Sequence, residues 1–150
     1  MNESARPRRE DAIAAPSEVM IVPCVAGKVW DTDPALGNVP AQDAYTERRF
    51  LTWRRHAEGS GLPWFILSTK YGLVRPSDLI AAYNRGVMQA RADRTLAELL
   101  TRQGRELGLV GCKTVHLLDY DLFIPLVRAL VGPASTIEMT WLTMRAPTRW

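Results

Sequence analysis

Four short apolar runs, spaced along 150 residues with helical patterns between them, are the feature that most constrains this fold. Each run is β-prone and short enough to be a buried strand; they are residues 18–24, 63–68, 113–119 and 135–141. Helical spacing of apolar residues predicts helices over 41–61, 77–83, 95–108 and 120–131. This alternation predicts an α/β fold. We expect a single three-layer domain with a mostly parallel sheet of about four strands and helices on both faces.

The N-terminal segment differs in composition from the rest of the chain. Residues 1–17 are polar and rich in Ala and Pro, which predicts a disordered leader before a domain over 18–150. The sequence has neither the apolar region of a secretory signal nor a run of eighteen apolar residues. With two cysteines there is no disulfide framework, and we expect a cytoplasmic protein.

Polar residues follow three of the predicted strands. Cys24 and Lys28 follow the first, the stretch "STKYG" (68–72) follows the second, and Asp119 and Asp121 follow the third. Ligands of α/β sheets bind outside the carboxyl ends of the strands. We therefore expect a binding site at this edge, to which the two aspartates contribute least.

The predicted catalytic residues are Lys70, Lys28 and Cys24. We expect the two lysines to approach each other around an anionic or electron-rich ligand. Two ammonium groups held close together favour the neutral amine of one of them, which is a nucleophile or a base. A thiolate at Cys24 would be nucleophilic if a helix N-terminus or Lys28 stabilised it. The alternative is that both lysines are solvated loop residues.

Six further residues are predicted to bind the ligand: Ser68, Thr69, Tyr71, Gly72, Tyr45 and Asp78. The two hydroxyls lie at a strand end, Tyr71 can stack on a base or hold a phosphate, and Gly72 permits a tight turn or a positive φ. Core packing is the alternative for Tyr45 and Tyr71, and it is the favoured interpretation for Tyr83. Asp78, at the start of a predicted helix, has helix capping as its alternative.

No cofactor and no metal site is predicted. The sequence has neither a Walker loop nor a G-x-G-x-x-G motif, which disfavours nucleotide cofactors held in those ways. It also has no Cys-x-x-Cys and no histidine pair at ligand spacing, which argues against zinc.

Four stretches of the sequence together resemble a bacterial and phage domain of unknown function. They are "VPCVAGK", "AQDAYTERRF", "PWFILSTKYGLVRPSDLIAAY" and "TVHLLDYDLFIPLV". The central part, "LSTKYGLVRPSD" (67–78), is also distantly similar to the Leu-Ser-x-x-Tyr-Gly-x-x-Arg-Pro-x-Asp stretch of the YaaA peroxide-stress proteins. That resemblance implies a YaaA-like α/β domain linked to DNA binding and protection from oxidative damage.

A fainter similarity is to the Pro-Cys-x-x-x-Lys motif of archaeosine synthases, which modify deazaguanine in tRNA. Pro23, Cys24 and Lys28 match this motif. The residues that follow, "VWDTD", depart from the Pro-Tyr continuation of that family. The similarity therefore implies nucleobase chemistry without implying the same reaction.

These features favour an enzyme that acts on a nucleobase, a nucleoside or a base of a nucleic acid, with no membrane partner. The reaction and the oligomeric state stay open. An alternative is a non-catalytic DNA-binding oxidative-stress protein that contacts phosphates through a basic helix surface; its arginines are Arg48, Arg49, Arg54 and Arg55. A third possibility is a small interaction module or an inactive relative.

Overall fold

The computed structural model of the chain describes residues 16–143. Its main sheet has five strands in the order β4-β3-β1-β6-β7. They are β1 (Glu18–Pro23), β3 (Trp64–Ser68), β4 (Gly72–Val74), β6 (Thr114–Leu118) and β7 (Thr136–Thr140). All neighbours are parallel except β4, which runs antiparallel to β3 at one edge. The predicted mostly parallel α/β sheet is confirmed, with one strand more than expected.

A second, two-stranded sheet pairs β2 (Val39–Pro40) antiparallel with β5 (Leu79–Ile80). Within the described residues there are also four α-helices: α1 (Arg48–Gly59), α2 (Val87–Arg91), α3 (Arg94–Glu106) and α4 (Ile124–Val131). None of the helices in residues 16–143 combines the length and the apolar character that a membrane crossing needs. The predicted leader, residues 1–17, lies outside the described residues apart from its last two.

The central strand β1 shows why the parallel strands have nearly continuous apolar sequences. It pairs with β3 on one side and with β6 on the other, and all its residues after Glu18 are buried. Strands of parallel sheets are covered on both faces, so apolar side chains are favoured at every position. Helix α1 packs against β1, and α3 packs against α4 and β4. The three-layer arrangement stays a prediction.

Two of the predicted helices are present close to their predicted positions. The pattern over 95–108 corresponds to α3, whose Gly104 brings the helix close to the Leu130 carbonyl of α4. A side chain at that glycine would collide with the carbonyl, so the glycine permits the close packing of the two helices. The pattern over 120–131 becomes a 3-10 turn followed by α4, which has Pro125 in its first turn. The proline in the first turn fits the late start of this helix.

The predicted helix over 77–83 is wrong. The stretch begins in a turn and continues as β5, whose pairing with β2 is a contact distant in sequence. Asp78 does not cap a helix; its carboxylate accepts a hydrogen bond from the backbone N–H of Arg75 at 2.8 Å and closes a turn. The predicted helix over 41–61 also begins later, at Arg48, because residues 41–43 form a 3-10 turn.

Strand β4 was missed because its partners lie in other elements. The chain reverses at Gly72, where φ is +72°. The Gln103 side chain of α3 then accepts a hydrogen bond from the Leu73 N–H at 2.8 Å and donates to the Leu73 carbonyl at 3.1 Å. This amide thus provides partners for the Leu73 N–H and carbonyl on the outer edge of β4, which would otherwise be unpaired.

Candidate functional site

The order of the strands defines where a ligand site is expected. From β1 the chain continues to β3 on one side of the sheet and later to β6 on the other. Ligands of open α/β sheets bind at such a switch point, which here lies outside the carboxyl ends of β1 and β6. A cavity of about 180 Å³ lies at this place. Its walls are Cys24, Val25, Ala26, Lys28, Arg49, Thr69, Asn84, Arg85, Gly86, Val87, Tyr120 and Phe123.

Lys28 is a buried cation in the wall of this cavity. Only 5% of the residue is exposed, and its Nζ donates a hydrogen bond to the Ala26 carbonyl at 3.1 Å. The same Nζ lies 4.4 Å from the centre of the Tyr83 ring and 5.9 Å from that of Tyr45. Within residues 16–143 no carboxylate forms an ion pair with it. Burying a charge without an ionic partner is costly, so an unpaired buried lysine is a candidate ligand contact.

A pair of tyrosines supports Lys28. The hydroxyls of Tyr45 and Tyr83 share a hydrogen bond of 2.6 Å. Burial, reinforced by the neighbouring Cys24, raises the pKa of both phenols well above the ordinary value, although the Ser68 hydroxyl partly opposes this. Both rings are therefore neutral at physiological pH. In the described structure the Lys28 charge therefore faces the Ala26 carbonyl and the π faces of these two rings.

Cys24 and Thr69 lie side by side in the cavity wall. The Cys24 thiol contacts the Thr69 hydroxyl at 3.8 Å, and that hydroxyl donates to the Arg85 carbonyl at 2.7 Å. Thr69 thus ties the extended segment 84–86 to the carboxyl end of β3. Because Cys24 is buried and also lines the cavity, its thiol is accessible only to a molecule that occupies the cavity.

Arg49 is the second cation directed at the cavity. Its guanidinium pairs with Glu47 at 2.8 Å and lies 4.7 Å from the centre of the Tyr120 ring. The other oxygen of Glu47 accepts a hydrogen bond from the Gly27 N–H at 2.7 Å, which fixes the loop that carries Lys28. Three basic residues and no acidic residue belong to the described wall. The cavity is therefore suited to an anionic or electron-rich ligand.

Asp119 has a structural role at the end of β6. Its carboxylate accepts hydrogen bonds from the Trp53 indole at 2.5 Å and from two N–H groups and one hydroxyl of Leu142 and Thr143 at 2.6–2.9 Å. Burial opposes ionisation, but the hydrogen bonds outweigh it and hold the pKa of Asp119 below its ordinary value. The residue also has a positive φ of 57°. Both of its carboxylate oxygens accept hydrogen bonds within the fold.

Lys70 does not line this cavity. Its side chain is exposed, and its Nζ lies 5.3 Å from the centre of the Tyr71 ring. It borders two neighbouring clefts, so the expected approach of Lys70 to Lys28 around one ligand is not observed. The turn after β3 explains this, because the buried Thr69 faces the cavity and the next residue is directed to solvent.

The other predicted ligand residues, apart from Thr69, are not among those that line the cavity. Ser68 is buried, and its hydroxyl accepts hydrogen bonds from the backbone N–H groups of Lys70 and Tyr71 at 3.1 and 2.9 Å. Tyr71 packs edge-on against Tyr83, with ring centres 5.5 Å apart. Gly72 has the positive φ that was expected. Asp78 is exposed in its turn and does not belong to the cavity wall.

The four arginines of α1 do not share one surface. Arg49 is directed at the cavity, and Arg54 pairs with Asp43 at 3.2 Å and with Glu58 at 3.0 Å. Hydrogen bonding to Glu58 raises the pKa of Arg54 above its ordinary value. Arg48 and Arg55 are exposed and, seven positions apart, lie on the same side of the helix. This distribution does not favour a continuous phosphate-binding face.

Sequence reasoning missed the segment 84–87 and the aromatic residues Tyr120 and Phe123, all of which line the cavity. It also favoured core packing for Tyr83. The signal available in the sequence was the polar stretch Asn84-Arg85-Gly86. Its place opposite the end of β1 depends on the hydrogen bond from Thr69, which sequence spacing does not show.

Comparison with known proteins adds a family and a relative. The model of a family of unknown function (DUF6884) matches residues 19–111. The chain is 31% identical over 119 residues to the Bacillus subtilis (strain 168) protein described as "Uncharacterized protein YfjM", and the match covers 79% of each chain. No solved structure matches the chain. The family match includes Cys24, Lys28, Thr69 and the segment 84–87, but not Tyr120.

Proposed function

The chain belongs to the DUF6884 family, and we propose that it is an enzyme that processes a nucleobase, a nucleoside or a base of a nucleic acid. The base occupies the cavity at the ends of β1 and β6. Lys28 contacts its electron-rich ring nitrogens or carbonyl oxygens. Cys24 is the candidate nucleophile of the site, because the Lys28 ammonium that contacts the base has no free electron pair.

The observation that carries this proposal is the isolated charge of Lys28. A lysine that is 95% buried and has no carboxylate partner within residues 16–143 would be poorly suited to a purely structural role. A heterocyclic base supplies acceptors that satisfy such an ammonium. The rings of Tyr120 and Phe123, which lie 6.1 Å apart and nearly parallel, add an aromatic surface to the same cavity.

The size of the cavity is consistent with a base. Its volume of about 180 Å³ is below the roughly 300–1,000 Å³ that pockets for drug-sized ligands occupy. A single ring system therefore fits inside, while a sugar or a phosphate lies outside.

The resemblances of the sequence support the same class of ligand. The match of Pro23, Cys24 and Lys28 to the archaeosine synthase motif falls on residues at the cavity, and two of them line it. The YaaA-like stretch over 67–78 supplies Thr69 to the cavity wall. The alternative of a DNA-binding oxidative-stress protein receives less support, because Arg49 and Arg54 are engaged in ion pairs.

Binding to purified protein tests the proposal. Nucleobases and nucleosides are titrated into the wild type, Lys28→Met and Lys113→Met by isothermal calorimetry. Lys113→Met is the matched control, because Lys113 is exposed and precedes β6, at the opposite end of the sheet. We expect Lys28→Met to weaken binding at least tenfold, since a charge-assisted contact contributes roughly 1.5–3 kcal/mol. Equal affinities of a folded Lys28→Met variant and the wild type would refute the proposal.

A further inference from the structure

Two clefts adjoin the cavity and share residues with its wall. One of about 280 Å³ is lined by Lys70, Tyr83, Asn84, Arg85 and Gln89. A second of about 340 Å³ also includes Lys70 and Arg85. Asn84 and Arg85 belong both to the smaller cleft and to the base cavity. A ligand that is too large for the cavity can therefore extend across these two residues into the cleft.

The smaller cleft has an unbalanced charge. Lys70 and Arg85 line it, and no carboxylate belongs to its described wall. Lys70 is exposed, and within residues 16–143 it forms no ion pair. Arg85 pairs with Asp93 at 2.7 Å through one nitrogen, which leaves other guanidinium donors for a ligand. The side-chain amides of Asn84 and Gln89 add neutral donors.

We propose that this cleft binds a phosphate group attached to the nucleoside whose base occupies the cavity. The inference rests on the proposed function and specifies its ligand as a nucleotide, either free or within a nucleic acid strand. A lysine ammonium acts as a point charge toward phosphate, and an arginine adds directed N–H donors. Lys70 is then a binding residue for the phosphate rather than a nucleophile.

Calorimetric titration of matched ligands tests this assignment. The four common nucleosides, their 5′-monophosphates and a short single-stranded oligonucleotide are compared on the wild type, Lys70→Met and the control Lys113→Met. We expect the monophosphate to bind at least tenfold more tightly than its nucleoside, as a charge-assisted contact implies. Lys70→Met should abolish this advantage and leave the affinity for the nucleoside unchanged. Lys113→Met should behave as the wild type does.

The monophosphate and oligonucleotide titrations distinguish a free nucleotide from a nucleic acid strand as the source of the phosphate. Tighter binding of the oligonucleotide than of the monophosphate, lost in Lys70→Met, would identify a nucleic acid strand; the reverse order would identify a free nucleotide. No gain from phosphate, or an equal loss for nucleoside and monophosphate in Lys70→Met, would overturn the inference. Lys28→Met distinguishes this failure from failure of the proposed function. If nucleosides bind the wild type but not Lys28→Met, the proposed base cavity is supported even when the phosphate cleft is refuted. Absence of binding by every ligand would refute both.

Discussion

The Lys28 ammonium lies 4.4 Å from the centre of the Tyr83 ring, and the Tyr83 hydroxyl is hydrogen-bonded to Tyr45 at 2.6 Å. The electron-rich face of an aromatic ring attracts a cation, and the attraction strengthens when water is excluded. The pair of rings therefore helps a buried lysine to remain in place without a carboxylate. A carboxylate in the position of the rings would neutralise the positive charge of Lys28, which we propose contacts the ligand.

Two substitutions at Tyr83 separate the hydrogen bond from the ring. Tyr83→Phe leaves the buried Tyr45 hydroxyl without this partner and should cost about 1–2 kcal/mol of unfolding free energy. It retains the ring beside Lys28, so ligand affinity should change little. Tyr83→Leu removes the ring as well and should also weaken binding. Urea unfolding and calorimetry measure the two effects, and equal binding losses in both variants would show that the ring itself has no role.

Asp119→Asn should destabilise the fold and alter its pH dependence. The carboxylate accepts four hydrogen bonds, and its replacement should cost roughly 3 kcal/mol near neutral pH. The folded pKa of Asp119 is below its ordinary value, so its contribution is complete above the unfolded value of about 3.9. That contribution is lost as the pH falls through the folded pKa.

The difference in stability between the wild type and Asp119→Asn should therefore shrink as the pH is lowered from about 6 to about 3. Urea unfolding at several pH values, followed by tryptophan fluorescence, measures it. Asp121→Asn is the matched control, because Asp121 is exposed two residues away. A constant difference across this range would contradict the role of the ionised carboxylate.

Gly72→Ala tests the turn that follows the candidate site. A side chain at a φ of +72° costs roughly 1–2 kcal/mol, and the new methyl would also displace the Gln103 amide from β4. Gly37→Ala is the control, because Gly37 has a φ of +83° with open space around it. We expect Gly72→Ala to be the more destabilising by thermal unfolding. Equal losses would mean that the Gln103 contact contributes nothing.

The parts of the fold that were predictable depend on local pattern. The inner strands β1 and β3 have nearly continuous apolar sequences because they are largely buried, and α3 has apolar residues at helical spacing. The parts that were missed depend on distant partners. Strand β4 needs Gln103, and β5 needs β2, so neither has a signal within its own few residues.

The same distinction applies to the site. Cys24, Lys28 and Thr69 were predictable because the carboxyl ends of parallel strands are the usual place for ligands. The contributions of Tyr83 and Arg85 were not, because the path of the segment that carries them depends on contacts distant in sequence, such as the hydrogen bonds from Thr69 to the Arg85 carbonyl and between Tyr45 and Tyr83. Lys70 was assigned to the same cavity, although its side chain follows a buried neighbour and is directed elsewhere.

A crystal structure of the protein with a bound nucleoside or nucleotide tests most directly whether Lys28 holds a base. We expect a ring nitrogen or carbonyl oxygen of the base at about 2.7–3.2 Å from Lys28 Nζ, the range of such hydrogen bonds. The base should lie within the cavity between Cys24, Thr69 and Tyr120. A ligand bound outside that cavity, with Lys28 still contacting only Ala26 and the tyrosine rings, would contradict the proposed function.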